Sequence, residues 1–122
     1  MAERALQRGT AGKMDSMTFP EIDVKSLPDG AYLLDVREPD EWRAGHAPNA
    51  CHIPLGELQG RVGELPDGTI YVICRLGGRS AHAAAWLNHI GREAINVDGG
   101  MQSWATAGLP MVNDDGGTPF VA

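Results

Sequence analysis

The ten residues YVICRLGGRS, from Tyr71 to Ser80, run an apolar, β-favouring stretch into a single thiol and then into two arginines, two glycines and a serine. A thiol reacts as its thiolate, so the question is what would hold negative charge at Cys74. Glycines at 77 and 78 can adopt the positive φ that turns successive backbone N–H groups inward, forming an anion nest at the start of a helix. With Sγ at the centre of such a nest, the amides, the helix dipole and the guanidiniums of Arg75 and Arg79 all favour ionisation. A free cysteine titrates near about 8.5, and surroundings of this kind bring it to about 3.5–7.5. Cys74 is therefore expected to be a nucleophile. Most lone cysteines are small buried apolar residues, but strand, cysteine, basic glycine loop and helix in that order favour the reactive reading.

The charge around this loop stands out from the rest of the chain. The formal net charge is −6, yet Tyr71 to Arg92 holds Arg75, Arg79 and Arg92 and no acid. A local positive site in an acidic body is expected. The overall charge argues against partners that are nucleic acids or anionic membranes, because either needs a basic face. The N-terminus lacks the apolar core of a secretory signal, and no run approaches the roughly 20 apolar residues of a membrane span. A cytoplasmic location is expected, with monomer as the default state for one small domain. Cys51 and Cys74 make neither a disulfide framework nor a CxxC pair, and no His/Cys cluster has zinc-finger spacing, so no metal is expected.

The elements that must position Cys74 follow from periodicity and turn residues. Residues 1–18 show no period and are read as a flexible arm, 19–112 as one domain and 113–122 as a tail. IDVKSLPDG gives a short strand or helix and then a Pro-Asp-Gly turn; AYLLDV is a strand ending in Asp35. EPDEWRAG reads as a short helix with Pro39 at an early position and Gly45 as its stop. ACHIP is a short strand, and LGELQGRVGEL carries apolar residues at 55, 58, 62 and 65, the spacing of an amphipathic helix. TIYVIC is the strongest strand, continuous enough to be buried on both faces. SAHAAAWLNHIG places Ala83, Ala84, Leu87 and Ile90 on one helical face with Gly91 as cap. AINV is another strand and GGMQSWATAG a last helix. Strands alternating with helices mean an α/β sandwich with a mostly parallel sheet, and ligands bind such sheets outside the carboxyl ends of the strands, where Cys74 sits.

Four segments, LLDVREPDEWRAGHAPNA, HIPLGEL, CRLGGRS and VDGGMQSWATAGLP, resemble in order the successive signatures of single-domain rhodanese-like sulfurtransferases, over residues from about 20 to 111. The resemblance implies a three-layer sandwich with a mostly parallel five-stranded sheet flanked by helices. It implies that Cys74 carries sulfur as a persulfide and that Arg75, Leu76, Gly77, Gly78, Arg79 and Ser80 form the cradle, with Arg75 and Arg79 available to an anionic donor such as thiosulfate. The acceptor would be cyanide or a thiol, with a sulfur-relay protein as a possible partner, and transfer needs no cofactor.

The other family positions read mostly as scaffold. Asp35 and Arg37 end a strand beside the expected site and are read as supporting residues that pair with each other or with backbone. His46 is expected to fix a turn, His52 to be partly buried, and Cys51 to pack inside its strand, with resolution of an oxidised Cys74 as its lesser role. His82 and His89 lack a third ligand, and the three tryptophans are expected to pack under loops. Two rival functions stand beside sulfur transfer. One is a rhodanese-like module that binds a partner without chemistry. The other is a cysteine-dependent phosphatase or arsenate reductase, whose loop has five residues between cysteine and arginine where this chain has four.

Overall fold

The computed structural model describes residues 20–122; the arm assigned to residues 1–18 lies outside them. Five strands, β1 (Glu21–Asp23), β2 (Tyr32–Asp35), β3 (Cys51–His52), β4 (Thr69–Ile73) and β5 (Glu93–Asp98), alternate with helices α1 (Pro39–Ala44), α2 (Leu55–Arg61), α3 (Gly78–His89) and α4 (Gly100–Thr106). Short 3₁₀ turns occupy Val24–Ser26 and Val62–Glu64. The strands form one sheet in the order β1-β5-β4-β2-β3, and every pairing is parallel.

β4 is central, as its continuous apolar run requires. Its side chains alternate between two cores. Ile70, Val72 and Cys74 join Leu58 of α2 and Ala83, Ala84 and Leu87 of α3 on one face, while Ile73 joins Val24, Val97, Met101 and Trp104 on the other. Full burial of an Ile or Val side chain contributes about 1.5–3 kcal/mol, and Ile70, Val72 and Ile73 are all at 0% exposure. The strand that presents the thiol is thus anchored from both sides.

Two sequence expectations about packing are corrected. Ile90 is 42% exposed, because α3 ends at His89 and the next residue already lies in the turn that precedes Gly91. Cys51 is exposed, because the two-residue β3 is the outermost strand of the sheet. The segment after α4 returns to the body: His46 and Val112 exchange backbone hydrogen bonds at 2.9 Å, and the Phe120 N–H donates to the Ala44 carbonyl at 3.1 Å. Gly45 is required there, since a Cβ would overlap the Phe120 backbone. Among the described residues no helix is long and apolar enough to cross a membrane, and no group of three His, Cys, Asp or Glu side chains is placed to hold a metal ion.

Candidate active site

Cys74 follows the last residue of β4 directly, and α3 begins four residues later at Gly78. The intervening turn depends on Gly77, whose φ of 110° lies in the left-handed region. The Gly77 N–H donates to Cys74 Sγ at 3.1 Å. Gly78, expected to share the positive φ, is instead the first residue of the helix. The second special backbone comes from Gly99 and Gly100, with φ of 77° and 57°. A Cβ on Gly100 would overlap the carbonyl oxygens of Cys74 and Arg75. This close approach lets the Met101 and Gln102 N–H groups, at the start of α4, donate to those two carbonyls at 2.8 and 3.0 Å. With its carbonyls turned out to α4, the loop keeps its amides facing in toward sulfur.

Ser80, in the first turn of α3, is fully buried, with its hydroxyl 3.3 Å from Cys74 Sγ, 3.3 Å from the Gly77 carbonyl and 2.6 Å from Asn96 Oδ1. The hydroxyl has one proton for three acceptors. Asn96, on β5, is oriented from behind: its Nδ2 donates to Glu21 Oε2 at 2.9 Å, which leaves Oδ1 facing Ser80. Burial, the largest influence on the Cys74 thiol, pushes its pKa up. It is outweighed by hydrogen bonds from the Ser80 hydroxyl and from the backbone N–H groups of Ser80, Gly77 and Leu76, and the thiol ends below its ordinary value. The direction agrees with the sequence expectation, with hydrogen bonds from Ser80, Gly77 and Leu76 as the main lowering influences and the Arg79 guanidinium close enough to interact with the thiolate charge.

The arginines are arranged differently from the sequence expectation. Arg92 lies at the far end of the sheet, where its guanidinium donates to the Pro66 and Val62 carbonyls. Arg79 is held in a bidentate pair by Glu41 of α1, with Nη1 to Oε1 at 2.7 Å and Nη2 to Oε2 at 2.9 Å. Glu41 also accepts from the Glu38 N–H at 3.0 Å and so closes the N-terminus of α1. The Arg79 guanidinium, ahead of other influences, holds the Glu41 carboxyl down at about 2. The stretch around Cys74 contains no acid of its own, yet the fold brings one in from 38 residues away. Arg75 is half-buried, and its Nε has no hydrogen-bond partner. Leu76, at the loop tip, is 61% exposed.

Asp35 and Arg37 form a buried ion pair. Both are fully buried; Arg37 Nε and Nη2 donate to the Asp35 carboxylate at 2.8–3.1 Å, and Nη2 also donates to the Gly45 carbonyl at 2.8 Å. The pair fixes the connection from β2 through α1, on which Glu41 stands. His46 holds its turn as expected, donating from Nδ1 to the Trp42 carbonyl at 2.7 Å. Trp42 is more than loop packing, since its ring stacks on both His46 and His52 at centroid distances of 3.5 and 4.8 Å. Cys51 does not join the cradle; its side chain meets that of Tyr32.

Sequence reasoning missed Asn96, Glu21, Glu41 and Gly100. A polar residue inside the apolar run of β5 was a usable signal for Asn96. Glu41 carried none, because its partner is set only by how α1 packs beside the loop.

A parallel α/β sheet that presents a hydrogen-bonded cysteine at the carboxyl end of its central strand defines the structural class. Within that class, the Rhodanese-like domain family model matches residues 22–107, and the chain belongs to that family. A sulfurtransferase of Allochromatium vinosum is 36% identical over 104 residues, which cover 79% of this chain and 97% of that protein. The Bacillus subtilis protein YrkF is also 36% identical over 104 residues, but this chain spans only 56% of its length. Among solved structures, a rhodanese-related protein from Thermoplasma volcanium superposes with a TM-score of 0.74 at 36% identity, over 79% of this chain and all of that one.

Proposed function

We propose that the protein is a sulfurtransferase in which the Cys74 thiolate takes a sulfane sulfur from a small anionic donor, such as thiosulfate, and passes it on from a persulfide. The observation that carries this reading is the set of donors converging on Sγ, with the Gly77 N–H at 3.1 Å and the Ser80 hydroxyl at 3.3 Å. Such donors stabilise a thiolate before reaction and the terminal charge of a persulfide after it. In the first step Sγ attacks the outer sulfur of thiosulfate, the S–S bond breaks, and sulfite leaves with the electron pair. In the second, a thiolate or cyanide attacks the terminal sulfur of the persulfide and Cys74 leaves as the thiolate. No net redox change occurs, so the cycle calls for no cofactor. Relatives named as sulfurtransferases support the reading, and a relative named as a putative sulfur carrier protein supports a relay in which a protein thiol is the acceptor.

The phosphatase alternative is disfavoured by Arg79, the residue that would have to face a tetrahedral oxyanion, because its guanidinium is committed to Glu41. We place the reaction in a reducing compartment, where thiol acceptors are abundant. The test is thiocyanate formation from thiosulfate and cyanide. The native protein should turn over and Cys74→Ser should not, with both equally folded by circular dichroism. Equal activity in the two would remove Cys74 from the reaction.

A further inference from the structure

The loop carries two arginines, and the fold treats them oppositely. Arg75 has no acid partner among the described residues, and its Nε is buried without any hydrogen-bond partner. Arg79 is clamped by both oxygens of Glu41, at 2.7 and 2.9 Å. Glu41 is well placed to keep hold of it: its carboxylate is only 15% exposed and is fixed by the Glu38 N–H. The Arg79 guanidinium is also close enough to Cys74 to feel the charge of its thiolate, and it feels Glu38 as well. The neighbouring Arg37 is already neutralised by Asp35. Of the two loop arginines, Arg79 is thus charge-compensated by a carboxylate and Arg75 is not, among the described residues.

We infer that Glu41 is a specificity-determining residue: by pairing with Arg79 it tunes the Cys74 site to sulfane-sulfur donors that carry one negative charge, and against the dianion thiosulfate. This rests on the sulfur-transfer reading and adds the charge class of its donor. Thiosulfonates and persulfide anions are donors of that class. With methanethiosulfonate, Sγ attacks the outer sulfur, the S–S bond breaks, and methanesulfinate leaves with the electron pair, giving the same Cys74 persulfide that thiosulfate gives. The two donors thus share the reacting bond and differ by one charge. Glu41 acts through Arg79 and touches neither the donor nor Sγ.

A charge cycle tests this, with the ratio of kcat/KM for thiosulfate to that for methanethiosulfonate as the readout, since any general change in thiol reactivity cancels in the ratio. Glu41→Gln keeps a carbonyl oxygen for the Glu38 N–H and releases the Arg79 charge. It should lower KM for thiosulfate about tenfold, the lower end for one charge-assisted hydrogen bond, with little change in kcat and a smaller fall in KM for methanethiosulfonate. Arg79→Gln leaves Glu41 unpaired and should move the ratio the other way. The double variant, neutral like the native pair, should return close to the native ratio. Raising ionic strength should shrink the spread among the variants. The inference is overturned if all four proteins show the same ratio, or if Glu41→Gln and Arg79→Gln shift it in the same direction. If Glu41→Gln does not fold, Arg79→Gln still decides, because an unchanged ratio there refutes the claim. Failure of Cys74 to take sulfur from either donor would instead overturn the sulfur-transfer reading itself, and this inference with it.

Discussion

Replacing Ser80 by alanine separates the hydroxyl's share of thiolate stabilisation from that of the backbone. The hydroxyl has a single proton, and its nearest acceptor is not sulfur but Asn96 Oδ1, at 2.6 Å against 3.3 Å for Sγ. While Cys74 is a neutral thiol, the proton belongs to Asn96. When Cys74 ionises, the charge on sulfur competes for it. A hydrogen bond to a charged group contributes about 1.5–3 kcal/mol and a neutral one about 0.5–1.5 kcal/mol. The exchange therefore favours the thiolate by about 1–1.5 kcal/mol, close to a factor of ten. Ser80→Ala should lower the thiolate fraction about tenfold at any pH well below the thiol's midpoint, and the rate of alkylation of Cys74 by iodoacetamide should fall with it. The assay is the second-order rate against pH, with Cys51→Ser as the background so that the exposed thiol does not contribute. An unchanged pH profile in a folded variant would refute the argument and leave the Leu76, Gly77 and Ser80 amides as the whole source of the shift.

Three further outcomes follow from the geometry. Gly100→Ala forces a side chain into the left-handed region and against the Cys74 and Arg75 carbonyls; it should destabilise the protein by about 1–3 kcal/mol or more in denaturant unfolding and slow sulfur uptake. Asp35→Ala leaves Arg37 buried without its carboxylate and should cost about 3–5 kcal/mol by the same measurement, although neither residue touches Sγ. The Glu41 carboxyl, held down at about 2 by Arg79, is depressed in the folded state, so its stabilisation is full above the ordinary carboxyl pKa and is lost as pH falls toward the folded value. Arg79 is 35% exposed, which screens the pair to about 1 kcal/mol; Glu41→Gln should flatten the loss of stability between roughly pH 4.5 and 2 by that amount, and an unchanged slope would deny the pair any energetic role.

What the sequence made legible was whatever local pattern controls. The run Thr69 to Ile73 had to be a central strand, Pro39 opens a short helix as its fixed φ favours, and the glycine loop after Cys74 turns its amides toward sulfur. The site's electrostatics were not legible, because they depend on which distant side chains the packing brings together. An acid-free stretch suggested two free arginines beside the thiol. In the fold, Glu41 of α1 reaches Arg79, and α3 carries Arg92 away to the other end of the sheet. Cys51 had the composition of a packed strand residue and nothing to show that its strand was the outermost, so its exposure depended on strand order. Gly77 and Gly78 looked equivalent, yet only the one that precedes the helix needs positive φ.

The central claim is that Cys74 carries sulfur, and intact mass spectrometry addresses it most directly. After incubation with thiosulfate or methanethiosulfonate and removal of excess donor, the native protein and Cys51→Ser should each gain one sulfur atom, mapped to the peptide containing Cys74 and removed by cyanide. Cys74→Ser should gain none. A native mass that never rises with either donor, or a sulfur atom found on Cys51 while Cys74 stays a thiol, would contradict the account.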